Sequence, residues 1–412
     1  MSRVFDNPRP AAWEEAAADL PLCVLVADDL TGACDSGLEF AHHGLVTRVA
    51  FGEAARTAAD VVVISTNSRR LSPQMAASAV HAASANLSTQ EDGIVFKKID
   101  STLRGHIIAE CNALRDAMHL GFAVVAPALP RQGRIVERGV LKVQDLSGRW
   151  SLDVREQLAR QGATPSILEP RAGITPKDLA IEIEGLAAGG SEYILCDATT
   201  ESDLRLIAES LMMCSSRPMW VGSAGLAGCA AAVLAGRRAS RKTVRAIQTG
   251  PVILCIGSDH PVTKAQLAHF RGRRAFRILQ AASTSTEEIL SALASDSQLV
   301  LMIDTAAPEI ARLQMAKLRE LFTTARAANL AAVLLTGGDT AELVCRSVNA
   351  EQLLLEGELL SGVAFGHIEG GLLDGVAIAT KSGGFGAEDC LLDSVNRLSE
   401  RMQHGRQPFE SE

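Results

Sequence analysis

Two adjacent carboxylates, Asp28 and Asp29, close the apolar run in VLVADDLTGACDSG. Such a run reads as a buried strand, and doubled charge at its end belongs where the strand meets solvent or a ligand. Thr31-Gly32 then turns the chain into a helix expected through Cys34–His43, which Gly44 can end. Asp35 and Glu39, one turn apart, share a side of that helix. An Asp ahead of a helix is an ordinary N-cap, which explains one carboxylate and leaves a ligand role for its neighbour; Asp29 is the expected ligand residue.

Two further strand ends carry groups suited to an anionic, hydroxyl-rich molecule. STNSRRLSP (65–73) places Arg69 and Arg70 in a loop before Pro73, which can open a helix. Arginine grips a carboxylate or phosphate in bidentate fashion, although two loop arginines are more commonly solvated. FKKIDSTLRGHIIAE (96–110) delivers Lys98 and Asp100, then Ser101 or Thr102 as a helix cap with Arg104 in the first turn. Donors of several kinds around one carboxylate fit a small polyhydroxy acid, while capping alone leaves Lys98, Asp100 and Arg104 unexplained.

In the second half, CIGSDHPVTKAQL, LLTGGDTAELV and IATKSGGFGAEDCLL each run from a strand through glycines to a helix. Glycine lets backbone amides approach phosphate oxygens, so three such loops in succession point to a nucleotide. Other chemistries lack their signatures. Gly32 to Gly37 has Walker-like spacing but is followed by Leu38-Glu39, no Gly-x-Gly-x-x-Gly follows the first strand, SAGLAG is not a nucleophile elbow, and the histidines show no zinc spacing.

These residues must be positioned by a chain of 412 residues, long enough that two domains are expected. Short Val/Ile/Leu runs alternate with Ala-rich helical patterns, giving an α/β fold with two domains, each a largely parallel sheet flanked by helices. Expected strands are 23–27, 61–65, 94–99, 122–126, 193–196, 218–221, 252–256, 299–303, 332–335 and 376–380, with a hairpin over 132–150 and a packing helix in 222–236. The basic stretch AGRRASRKTVRAIQTGP, with Arg237, Arg238, Arg241, Lys242 and Arg245, reads as a solvated boundary. The expected division is an N-terminal extension 1–21, a first domain 22–240, a linker 241–250 and a second domain 251–412, with a frayed end.

Charge and composition narrow the partners. A net charge of −8 and 4% aromatic residues disfavour nucleic acid. No apolar run reaches the roughly 18 residues of a membrane span. Nine scattered cysteines without Cys-x-x-Cys, and an opening stretch carrying Glu14, Glu15 and Asp19 in place of an apolar block, lead to the expectation of a cytoplasmic protein. Nothing here excludes an oligomer.

The segments ADDLTGACDSG, TNSRRLSP, FKKIDSTLRG, VAPALPRQGR, GSAGLA, LLTGGDTA, GVAFGHIEGG and TKSGGFG occur in that order, and the chain resembles the four-carbon acid sugar kinases from about residue 22 to 395. The resemblance implies an N-terminal domain that binds the acid sugar and a C-terminal domain that binds ATP, with the active site in the interdomain cleft. The implied reaction phosphorylates a terminal hydroxyl of threonate, erythronate or 3-oxo-tetronate in carbohydrate acid catabolism. By motif, Asp29, Arg69, Lys98, Asp100, Ser101 and Arg104 would bind substrate, with Asp29 or Asp100 orienting the hydroxyl and taking its proton. Ser258, Gly337, Gly338, Asp339, Thr340, Gly383, Gly384, Phe385 and Gly386 would hold the nucleotide, with Asp339 near a Mg2+ ion; Phe385 either meets the ligand through its ring or packs in the core. Two positions depart from the family: His260 stands where a small hydroxyl residue is common, and Gln132 where Asn is common. A silent sugar-acid sensor and a nucleotide-free lyase or isomerase remain as alternatives.

Overall fold

The computed structural model describes residues 20–51, 59–145, 148–237, 245–273, 276–295, 298–305 and 308–404. Residues 1–19 of the extension 1–21, Arg238, Arg241 and Lys242 of the basic boundary, and 405–412 lie outside the described residues.

A 15-stranded sheet runs through the molecule. Its first block is parallel, in the spatial order Thr47–Phe51, Val61–Ser65, Cys23–Ala27, Ile94–Lys98, Met219–Gly222, Ala123–Ala126, Tyr193–Cys196 and Ser166–Leu168. The second block has a parallel part, Arg277–Gln280, Gln298–Met302, Val252–Ile256, Ala332–Thr336 and Ala377–Lys381, extended by the antiparallel strands Val363–Glu369 and Gln352–Leu360. The central strands are buried along their length, as expected for a sheet covered by helices on both faces.

All ten strands read from sequence are present, with ends shifted by at most a residue. A largely parallel sheet in each half was expected, and each block has one; the two join edge to edge, because Gln352–Leu355 pairs antiparallel with Thr47–Ala50. Register shifts at Leu355/Gly357 and Glu358/Leu360 mark bulges, which bend a strand and let one sheet serve two lobes. The 132–150 hairpin is in fact a three-stranded antiparallel sheet, Arg134–Glu137, Val140–Asp145 and Gly148–Asp153. It is tied down where the Asp197 carboxylate accepts from the Arg138 and Gly139 amides.

The helix opening the first block spans Leu30–His42, earlier than expected, because Asp29 caps it by accepting from Gly32 N at 3.0 Å. A second expectation fails. Ser101 and Thr102 cap no helix: the next one begins at Ile107 after His106, which makes no side-chain cap, and Arg104 lies in the irregular turn before it.

Candidate active site between the two blocks

Strand Cys23–Ala27 is flanked by Val61–Ser65 and Ile94–Lys98, so the three chemistry-bearing loops leave adjacent strands at one edge. The Arg69 guanidinium meets Asp28 through Nε and Nη2 at 2.7 and 2.8 Å, and Asp29 through Nη1 and Nη2 at 2.8 Å each. Burial would raise the Asp28 carboxyl, but Arg69 and the nearby lysines outweigh it and hold the group below its usual range. Asp29 is filled further by the Thr31 hydroxyl at 2.8 Å. Arg69 lines the cavity, yet its fork is largely occupied by its own chain.

Adjacent lysines end the next strand, and alternation sends them to opposite faces. Lys97 is fully buried and pairs with Glu110 at 2.8 Å. Lys98 opens onto the cavity; its carbonyl accepts from Lys97 Nζ at 2.8 Å, while its ammonium makes no hydrogen bond or ion pair to any described residue. Asp100 gathers the following turn: it accepts from Thr102 N at 3.1 Å, the Thr102 hydroxyl, and Arg104 Nε and Nη2 at 2.9 and 2.7 Å. Burial opposes ionisation there too, but Arg104 and Thr102 drive the carboxyl well below the ordinary carboxylate range. Ser101 Oγ accepts from Arg134 Nη1 at 2.5 Å.

Across the gap, strands Val252–Ile256, Ala332–Thr336 and Ala377–Lys381 are neighbours, so their glycine loops converge. Ser258 lies against Gly383 and Gly337, where a Cβ would collide with its hydroxyl or touch its Cβ respectively. Thr263 Oγ1 donates to Gly383 O at 2.6 Å, and Gln266 Nε2 donates to the carbonyls of Phe385, Gly386 and Ala387 at 2.8–3.0 Å. Gly337, at φ +98°, enters helix Gly338–Ser347 without a side-chain cap, leaving amides for a ligand. That helix start reaches the first block: a Cβ on Gly338 would sit 3.4 Å from Asp29 Oδ2 and 3.3 Å from Thr31 Oγ1. Thr340 is buried beneath Gly257, and Asp339 pairs with Arg70 at 2.9 Å.

Between these walls lies a cavity of about 710 Å³. It brings together Asp29, Arg69, Lys98, Asp100, Ser101 and Arg104 from the first block with Gly384 and Phe385 from the second. Ser258, Gly337, Gly338, Asp339, Thr340, Gly383 and Gly386 are not among its lining; Ser258 and Thr340 support the loops from behind. Phe385 is half-buried, facing the cavity while its ring covers Gly362, so it packs and lines at once. Among the described residues no group of three or more His, Cys, Asp or Glu side chains is placed to hold a metal ion. Asp339, paired with Arg70, belongs to no such group.

Residues 23–230 match the sugar-binding N-terminal domain and residues 253–391 the nucleotide-binding C-terminal domain. A D-threonate kinase from Bordetella bronchiseptica is 30% identical, over 92% of this chain and 98% of its own. The chain belongs to the four-carbon acid sugar kinase family. Another relative, a 3-oxo-tetronate kinase from Burkholderia multivorans, is 30% identical over 93% of this chain and 99% of its own. A solved Haemophilus influenzae structure, 21% identical, matches the fold with a TM-score of 0.70 over 90% of this chain and 99% of that one.

Within the acid sugar kinase framework, both departures have a structural role or place. His260 caps helix Pro261–Arg271 by accepting from Val262 N at 3.2 Å through Nδ1, the task a hydroxyl residue would perform, and its ring lies beside Gly384. Gln132 lines the cavity from the short 3-10 turn Pro130–Gln132. Sequence reasoning did not assign Arg131, Arg134, Asp35, Glu39 or Glu358 to the site, yet all five line the cavity. Asp35 and Glu39 carried a legible signal in their shared helix side; Glu358 reaches the cavity only through the bent strand.

Proposed function

We propose that this protein is an ATP-dependent kinase that phosphorylates the terminal hydroxyl of a four-carbon acid sugar such as threonate, erythronate or 3-oxo-tetronate. One observation carries the reading: a single cavity has the Lys98–Arg104 corner and the Asp29 turn on one wall and the Gly384-Phe385 loop on the other. The proposed division places the acid in domain 22–240 and the nucleotide in domain 251–412, joined through 241–250. Lys98 and Arg104 neutralise the acid's carboxylate, while Ser101, Asp29 and Asp100 receive and orient its hydroxyls. Arg69 acts mainly by fixing the Asp28 and Asp29 carboxylates. Gly384 and Phe385 border the phosphates at the cavity wall, and the amides of Gly337, Gly338, Gly383 and Gly386, outside that lining, receive them where the triphosphate extends into the glycine loops, with Ser258 and Thr340 behind.

Magnesium enters as part of the Mg·ATP substrate, since such ions keep most of their ligands as phosphate and water. Asp339, which meets Arg70 through Oδ2, keeps a second carboxylate oxygen for the ion's outer shell. No described helix is long and apolar enough to cross a membrane. All nine cysteines are unpaired, which supports the proposal of a reducing, cytoplasmic setting.

The test is ADP release on four-carbon acids, with five- and six-carbon acids as controls. Stoichiometric ADP and phosphorylated acid are expected. Acid and ATP binding without ADP release would instead indicate a sensor, and acid conversion that needs no ATP a lyase or isomerase.

A further inference from the structure

We propose that Asp35 is the general base of the transfer, the group that removes the proton from the acid sugar's attacking hydroxyl. This assignment rests on the kinase reading. The other cavity carboxylates are committed elsewhere. Asp29 accepts from Gly32 N, the Thr31 hydroxyl and two Arg69 N–H groups. Asp100 is held by Thr102 and Arg104, Glu39 by Arg131, and Glu358 accepts from Gly362 N at 2.9 Å. Asp35 alone, among the described carboxylates lining the cavity, makes no hydrogen bond or ion pair. A carboxylate saturated with donors is a weak proton acceptor, and one with empty lone pairs is a better one.

Its position suits the task. Asp35 lies on helix Leu30–His42, one turn beyond Gly32, over which Lys98 Nζ passes so closely that a Cβ on Gly32 would lie 2.9 Å from it. The base therefore stands beside the cavity's unengaged cation. The charged groups facing it are Lys98 from its strand, Asp29 at the helix start, Glu39 on the same helix and Glu358 from the bent strand. Burial is the largest influence and pushes its carboxyl up to about 7; Lys98 works against this, and the three acidic neighbours reinforce it. A base poised near neutrality is ionised at working pH yet basic enough to accept a proton.

In the step itself, the hydroxyl oxygen's lone pair forms the bond to the γ-phosphorus while the bond from that phosphorus to the β,γ-bridging oxygen breaks. The bond pair leaves on ADP, and the hydroxyl proton passes to an Asp35 carboxylate oxygen, from which solvent removes it after product release.

The experiment is steady-state kinetics of wild type and Asp35→Asn across pH 5–9 (a range of about four units chosen to bracket the expected limb), with ADP release as readout. Wild type should lose kcat/KM for the acid below about pH 7 with an acid limb, and Asp35→Asn should lower kcat by about 10²–10⁴ and abolish that limb while KM for each substrate changes little. Lys98→Met, which removes the opposing charge, should move the limb to higher pH. A wild-type limb below about pH 5 would overturn the assignment whether or not the variant folds. Asp35→Asn with kcat within about threefold of wild type, or a slow variant that keeps the limb, would overturn it as well. Absence of wild-type turnover with every acid would overturn the kinase reading and the base with it; turnover that survives Asp35→Asn overturns the base alone.

Discussion

At Arg69 the sequence points toward a grip on a substrate anion, and the structure shows a guanidinium shared between Asp28 and Asp29. Asp28 is buried, so removing its partner leaves a carboxylate without its hydrogen-bonding cation, with only the more distant lysines to offset its charge. Arg69→Ala is expected to destabilise the protein by about 3–5 kcal/mol in chemical denaturation, with Arg69→Lys recovering part of it. Asp28 and Asp100, held below the usual range, add stability above about pH 4 that is lost as acid protonates them. Asp35 has the opposite sign. Its raised carboxyl favours the fold while protonated, and that contribution falls away as pH rises from about 4 to about 7. Asp35→Asn should therefore be more stable than wild type at pH 8 by about 1–3 kcal/mol, allowing for its contact with cavity water, and the gain should shrink toward pH 4. Equal denaturation midpoints at pH 8 would contradict this. The types and spacing of Asp29, Lys98 and Asp100 were legible in the chain; which carboxylates are already engaged was not, because Arg69, Arg104 and Arg131 choose their partners only in the folded state.

Short apolar strands ending in glycine or paired charge were readable because a parallel strand buried on both faces is continuously hydrophobic. Strands at an edge or junction were not. Arg277–Gln280 is partly exposed, and Gln352–Leu360 is interrupted by Glu356, Gly357 and Glu358, so neither has a clean period. The helix expected at Ser101 failed for a related reason: the Asp100 carboxylate captures Thr102 and Arg104 in a turn of its own, a local bond that competes with helix initiation. At this scale the glycine loops make their own prediction. Gly383 has no room for a methyl group beside the Ser258 hydroxyl, so Gly383→Ala must shift the loop that Thr263 and Gln266 hold. KM for ATP is expected to rise tenfold or so while KM for the acid changes less; an unchanged KM for ATP would remove this loop from the nucleotide site.

Across the whole molecule, the largely parallel sheets expected for the two halves join edge to edge into one bent sheet. Its junction is braced by Glu369, which meets Arg48 of the first block at 2.8 Å, Arg245 beside the boundary at 2.6 Å and Gln352 at 2.7 Å. The two arginine contacts join residues more than a hundred positions apart and leave no local pattern to read. They matter because they place the Asp29 turn against the Gly338 helix start, and the account depends on acid and triphosphate meeting there. The most direct measurement is a crystal structure of the complex with threonate and a non-hydrolysable ATP analogue. The acid is expected between Lys98, Arg104 and Asp35, the triphosphate on the Gly383–Gly386 loop, and an acid hydroxyl about 3–3.5 Å from the γ-phosphorus. Both ligands bound in full but on surfaces that do not face one another would contradict it.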